Sequence, residues 1–205
     1  MAPKIRDSSS PLEARIRALI ESGDGKRAAT EALSALGPEV LGFLVRVLGS
    51  EADADEVFAA TSERVWRSLA AFQWRCSLRT WMYVIARHEI DRYRRGAQRH
   101  ERGRVSESEL EEVVALVTTR SRSALRAERR DAVAKLREEL SEDDRAILVL
   151  RVDRGLAWDE IALSFLDDPD ESTEDERRRE AARVRKRYQL IKDRLAARAK
   201  EEGLV

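Results

Sequence analysis

Between Leu78 and Arg95 the apolar residues Leu78, Trp81, Met82, Ile85 and Ile90 recur at near-helical steps among polar and charged neighbours. A period near 3.6 gives a helix one apolar stripe, whereas a strand would scatter the same side chains over both of its faces. Similar stripes recur along the chain, and no segment shows the strict alternation of a half-buried strand. Nine Gly and four Pro in 205 residues, in a sequence dominated by Ala, Leu, Glu and Arg, favour helices further. The expected fold class is all-α.

The first ten residues, ending in Ser8, Ser9 and Ser10, read as a lead-in. A first helix is expected over Leu12–Ser22, with Leu12, Ile16, Leu19 and Ile20 on one face, and Gly23 to Gly25 break it. A second is expected to stop at Leu36, before Gly37-Pro38. A third carries Val40, Leu41, Phe43, Leu44, Val47 and Leu48 to Gly49. Ser50 reads as the N-cap of a helix reaching about Ala71, whose acidic first turn suits the helix dipole. Phe72 to Ser77 lacks a period and reads as a loop before the Leu78–Arg95 helix.

Gly96 to Ser108 is polar and basic, and Leu110, Val113, Val114 and Val117 allow one short helix after it. Beyond Leu125, Val133, Leu136 and Leu140 return to helical spacing. Ser141 caps a helix carrying Ile147, Leu148 and Leu150, which Gly155 ends. Trp158 to Leu166 forms a short helix, and a last one runs from about Glu174 to Glu202. Two small helical domains are expected, 12–97 and 125–202, joined by a linker over 98–124.

Composition excludes several classes. No stretch approaches the roughly 18 uninterrupted apolar residues of a membrane span, and the start lacks the apolar centre of a signal peptide, so no membrane insertion and a cytoplasmic location are expected. Cys76 is the single cysteine, which rules out an internal disulfide and a multi-cysteine zinc site. With two His and no Gly-rich phosphate loop or spaced ligand cluster, no catalytic residue, metal or cofactor is expected. His88 and His100 lie in basic surroundings, and Asp143-Asp144 is explained by helix capping.

Net charge is zero, yet the charges are segregated. Glu51 to Glu63 holds five acidic residues and no Lys or Arg; Asp167 to Glu176 holds seven acids and no base. Arg177 to Lys200 holds eleven basic residues against two acidic ones. Segregated charge selects partners through local fields. On the Leu78–Arg95 helix, Arg79, Tyr83, Arg87, Asp91 and Arg94 are mostly three or four apart and share a second face. A basic face with an aromatic suits unpaired DNA, through guanidinium–phosphate contacts and ring stacking, although a solvated basic face gives the same pattern. Near the end, Ile161 and Ala162 with Val184, Tyr188 and Ile191 read as the packing face of a helix-turn-helix. That leaves Arg183, Arg185, Lys186, Arg187 and Gln189 for DNA, Arg and Gln being the usual readers of guanine and adenine. The acidic helix from Glu51 cannot hold phosphate and suits docking on a basic protein surface.

Taken together, Asp53-Ala-Asp-Glu-Val57, Arg64-Val-Trp66, Arg79-Thr-Trp81, Ile85-Ala-Arg87 and Asp91-Arg-Tyr-Arg-Arg95 resemble the extracytoplasmic-function (ECF) sigma factors of the sigma-70 family. The resemblance spans roughly residues 27 to 97 and 125 to 200, and its first half is the more specific. It implies a promoter-specificity subunit of RNA polymerase, not an enzyme. By this resemblance Asp53, Asp55, Glu56 and Trp66 contact the clamp helices of the polymerase β′ subunit. The loop from Phe72, Gln73 and Trp74 to Ser77 receives a flipped-out base of the −10 element. Arg79, Tyr83, Arg87, His88 and Arg94 then line that DNA. The second unit resembles region 4, which reads the −35 element and meets the β flap, and the family leads one to expect an anti-sigma factor.

Two departures stand out. The family's usual Gln-Glu-Thr-Phe is here Ala59-Ala60-Thr61-Ser62. The helix-turn-helix carries an enlarged turn, with seventeen residues from Asp167 to Arg183 where about six are usual. Much of Glu174 to Arg183 can extend the last helix, leaving an acidic turn at Asp167 to Thr173 that either repels phosphate or docks a protein. Two other classes share parts of the pattern: a one-component helix-turn-helix regulator, which has no need of the Arg79-Thr-Trp81 string, and a helical protein-binding adaptor, which predicts no salt-dependent DNA affinity.

Overall fold

A computed structural model describes residues 10–96, 108–128, 137 and 139–201. The lead-in over 1–9, His100, Val133 and Leu136 lie outside the described residues. The order is α1 Pro11–Glu21, α2 Gly25–Leu48, α3 Glu51–Ser68 with a 3-10 turn Leu69–Ala71, α4 Leu78–Arg94 and α5 Ser108–Glu128. Then come α6 Glu142–Leu148, α7 Trp158–Leu163 and α8 Glu174–Glu201. As expected, the fold is all-α, with no strand among the described residues.

Helix starts follow local chemistry. Ser50, Ser77 and Ser141 each accept a backbone N–H from three residues on (Asp53, Thr80 and Asp144), at 3.3, 3.0 and 3.2 Å. Each satisfies one of the donors a helix start leaves open. Gly49, at φ +74°, closes α2 in the left-handed conformation that a side chain disfavours.

One expectation is overturned. Gly37-Pro38 does not end a helix, because α2 runs unbroken from Gly25 to Leu48 with Pro38 inside it. Proline removes one intrahelical hydrogen bond and crowds the carbonyl four residues back, here that of Ser34. Both Ser34 and Pro38 are exposed, so that carbonyl can turn to water. The opposite face buries Leu33, Gly37, Val40, Leu41 and Leu44, and that burial outweighs the local defect.

The central helix α2 packs against α1, α3, α4 and α5. Phe43, Leu44, Phe58, Leu78, Met82, Tyr83 and Ile90 form the heart of this core. The short helix foreseen around Leu110 is a long one, α5, which buries Leu110, Val113 and Val117. It packs on α2 and α3 and runs on through Glu128, past the expected start of the second unit at Leu125.

The C-terminal helices pack around Ile147, Leu150, Leu156, Ile161, Val184 and Ile191, all buried and in one hydrophobic cluster with the N-terminal helices. The turn Val149–Asp153 widens to π geometry after α6, and Leu156 N–H returns to Leu150 O at 3.0 Å. Helices α7 and α8 pack on each other, with the Trp158 and Tyr188 rings edge to face at 5.1 Å. Helix α6 and the π turn pack on α2, and α7 packs on α4, with Asp153 taking both Arg46 (3.5 Å) and Arg137 (3.0 Å).

Candidate nucleic-acid interface

The loop after α3 is built by its aromatics. Phe72 stacks on Trp81 of α4 at 4.7 Å and meets Trp74 at 4.8 Å, while Arg17 lies over the Trp74 ring at 4.2 Å. Trp74 takes φ +57°, the only positive value for a non-glycine residue among those described. A side chain in that region is strained, and such strain persists only where neighbours hold it. Gln73 is exposed at the turn. Beside this loop opens a cleft of about 620 Å³ between α3, α4 and the turn after α7, lined by Phe72, Trp81, Arg92 and Arg95 among others. Cys76 lines it too, its thiol pushed up to about 12 by burial and then by Asp170 and Glu160, so it stays protonated and unreactive.

The second face of α4 is only partly open to solvent, closed at Tyr83 and Arg87 and open at Arg94. Tyr83 is 1% exposed and packs edge to face on Phe43 at 5.4 Å; Arg79 lies over its ring at 5.7 Å. Arg79 donates from Nε to both Glu39 oxygens, at 3.0 and 3.1 Å, and from Nη1 to the Arg154 carbonyl at 3.0 Å. Burial alone pushes the Glu39 carboxyl up, but the hydrogen bond and charge of Arg79, aided by Arg154, hold it below the usual carboxylate range. Thr80 donates to Glu160 at 2.8 Å.

Two turns further along, Arg87 is 5% exposed and pairs with Asp91 at 2.5 Å and with Asp143. Its guanidinium lies 5.0 Å from the Phe165 ring centre. His88 Nε2 is 2.9 Å from the Leu166 carbonyl oxygen. Arg94 pairs with Glu142 and reaches Asp143 at 3.9 Å. Burial and then the neighbouring Arg87 charge lower its pKa, against the pull of those carboxylates. Of the residues expected to line DNA, the structure thus gathers Arg79, Arg87, His88 and Arg94 along one helix, each engaged by a protein group. Tyr83 supports that row from the core.

On α8, Arg183, Arg185, Lys186 and Gln189 are exposed, and Val184 and Ile191 are buried on the opposite side. Arg185 reaches over Trp158 at 5.8 Å. Arg187 is held inward, its Nε 2.6 Å from Asp144 and its Nη1 3.3 Å from Asp143. On α3, Asp53 accepts the Tyr93 hydroxyl at 2.7 Å, Asp55 and Glu56 are half-buried, and Trp66 packs against the core. The Thr61 and Ser62 hydroxyls turn inward to the Val57 and Phe58 carbonyls, both at 2.8 Å. Of the three departures on this helix, Ser62 therefore lies in the core, and Ala59 and Ala60 are on its outer side.

Sequence reasoning passed over Glu39, Arg154 and the pairing role of Glu142, Asp143 and Asp144. Ser141 does cap α6, as read, but Asp144 is also buried and receives Arg187 and Arg194. A run of three acids upstream of an arginine-rich helix was the available signal. The described residues contain no group of three or more potential metal ligands and no helix long and apolar enough to cross a membrane.

Residues 33–100 match the family model for Sigma-70 region 2, a span that runs from mid-α2 past the end of α4 and includes the aromatic loop. No curated protein matches the sequence. Sigma factors of that family are non-enzymatic initiation factors that act with RNA polymerase core on promoter DNA, and the match supports that role.

Proposed function

From the Sigma-70 region 2 domain carried by residues 33–100, we propose that this chain is an ECF-type sigma factor working in the cytoplasm. Its two promoter-reading units would be 12–97 and 125–202, with 98–124 between them. The observation that carries the reading is the row Arg79, Arg87, His88 and Arg94 beside a strained aromatic loop, inside the matched span. Guanidinium groups in a row suit successive phosphates, and the loop of Phe72, Gln73 and Trp74 places Phe72 in the wall of a cleft that can accept an unstacked base. Tyr83 acts in this scheme by fixing Arg79.

Asp53, Asp55, Glu56 and Trp66 on α3 supply the face for the β′ clamp helices. Helix α8 supplies Arg183, Arg185, Lys186, Arg187 and Gln189 for the −35 element, supported by the packing of α7 on its buried side, and this unit meets the β flap. An anti-sigma factor is a further partner of such a chain.

Run-off transcription with core polymerase on a randomised promoter library tests the reading. Specific transcripts are expected only when the chain is added. A chain that neither binds core nor changes the transcripts, yet binds one operator by itself, would instead be a one-component regulator. Within the active holoenzyme, Arg185→Ala with Gln189→Ala should relax −35 selectivity, by about 1–3 kcal/mol for each base pair no longer read. Trp74→Ala should slow promoter opening and leave −35 selectivity intact.

A further inference from the structure

Promoter recognition leaves the acidic start of α6 and the acidic turn before α8 without a role. We propose that together they form a built-in inhibitor, occupying in the free chain the surface that promoter DNA must take. This rests on the reading of α4 and α8 as promoter-binding helices.

The first observation is a sharing of partners. Three consecutive carboxylates, Glu142, Asp143 and Asp144, engage arginines of both helices at once. Arg87 and Arg94 come from α4, Arg187 and Arg194 from α8, the last at 3.5 Å from Asp144. A carboxylate presents two oxygens to a guanidinium much as a phosphate does, so donors already satisfied this way are closed to the DNA backbone.

The second observation is the turn. Leu166 offers its carbonyl to His88, and the Asp170 carbonyl takes the Arg75 guanidinium, which lays the turn along the cleft beside Phe72 and Trp81. The turn is built for that shape. The Asp168 side chain accepts the N–H groups of Asp170 and Glu171, both at 3.1 Å, and Arg177 ties Pro169 O and Ser172 Oγ, both at 2.8 Å. A base entering the cleft would meet this backbone and the Asp167, Asp168 and Asp170 carboxylates.

The chemistry of the contact points to opening. Although the buried apolar residues on both sides form one continuous cluster, the arginine row of α4 itself is met by ion pairs and carbonyls, with Phe165 the ring beneath Arg87. Such contacts weaken in salt and exchange for phosphate without leaving guanidinium groups unpaired.

The test uses the full chain and the double variant Glu142→Gln, Asp143→Asn. Fluorescence anisotropy measures binding of a single-stranded oligonucleotide carrying the −10 element found in the library, and small-angle X-ray scattering measures the size of the free chain. The variant is expected to bind at least about tenfold tighter than the parent, the scale of one charge-assisted pair, and to be more extended. The parent itself should expand in about 1 M salt, where screening reaches only about 3 Å, a measurement that does not depend on the variant folding. Equal oligonucleotide affinities together with a parent already extended at low salt would overturn the inhibitor while leaving the sigma assignment intact. Failure to support transcription with core would instead remove the function on which it rests. Once in holoenzyme, where promoter binding requires α4 and α8 to be free of these carboxylates, variant and parent should transcribe alike; a variant impaired there counts against the proposal.

Discussion

Gly37 shows how one residue ties three helices. A methyl group placed there would come within 3.2 Å of both the Phe58 ring and a Val117 methyl, so α2 meets α3 and α5 at this point. Alanine gains helix propensity of about 0.5–1 kcal/mol and needs only a few tenths of an ångström of relief, so Gly37→Ala should be close to neutral. Gly37→Val adds two further carbons against fully buried Phe58 and should cost about 2–3 kcal/mol, measured by urea unfolding. Single residues differ in how far the sequence reveals them. Caps such as Ser50 and Ser141 were legible because their partners lie three residues away. Arg79 and Arg87 were recognisable as a basic face, but Glu39 and Asp143 lie 40 and 56 residues from them, and sequence spacing carries no information on such pairs.

At the scale of elements, α2 and α4 are the instructive pair. The Gly37-Pro38 break failed as a prediction because propensity is a local preference and an apolar face on both flanks overrides it. The boundaries of α3, α4 and α8 were readable to within a few residues, since caps, glycines and the end of each apolar period coincide there. The α2–α4 junction also has a pH signature. Glu39 titrates below its ordinary value of 4.5, so its contribution to stability is complete above about that pH and is lost as pH falls through the lower folded value. Glu39→Gln removes this dependence. The difference in thermal midpoint between parent and variant should be constant above about pH 5 and should shrink steadily toward about pH 3; a gap that widens on acidification would refute the assignment.

At the scale of the whole molecule, the N-terminal and C-terminal helices share one set of charges. The pairs that join them, Arg79 with the Arg154 carbonyl, Arg87 with Asp143 and Arg94 with Glu142, are polar, and they flank one apolar cluster that runs through both. Thermal unfolding should therefore be a single transition at low salt, and its midpoint should fall in about 1 M salt as those pairs are screened, as read by calorimetry. The sequence by itself determined the helical class, most helix ends, the aromatic loop, and the two basic helices that point to promoter DNA. These are local matters, set by periodicity, caps and composition within a few residues. Only the tertiary structure decided that α5 joins the first core, that Tyr83 is inside it, and that the acidic start of α6 faces the arginines of α4 and α8. Those outcomes depend on which surfaces meet when distant segments pack, and a net charge of zero gave no hint that the acids and bases would meet at one place.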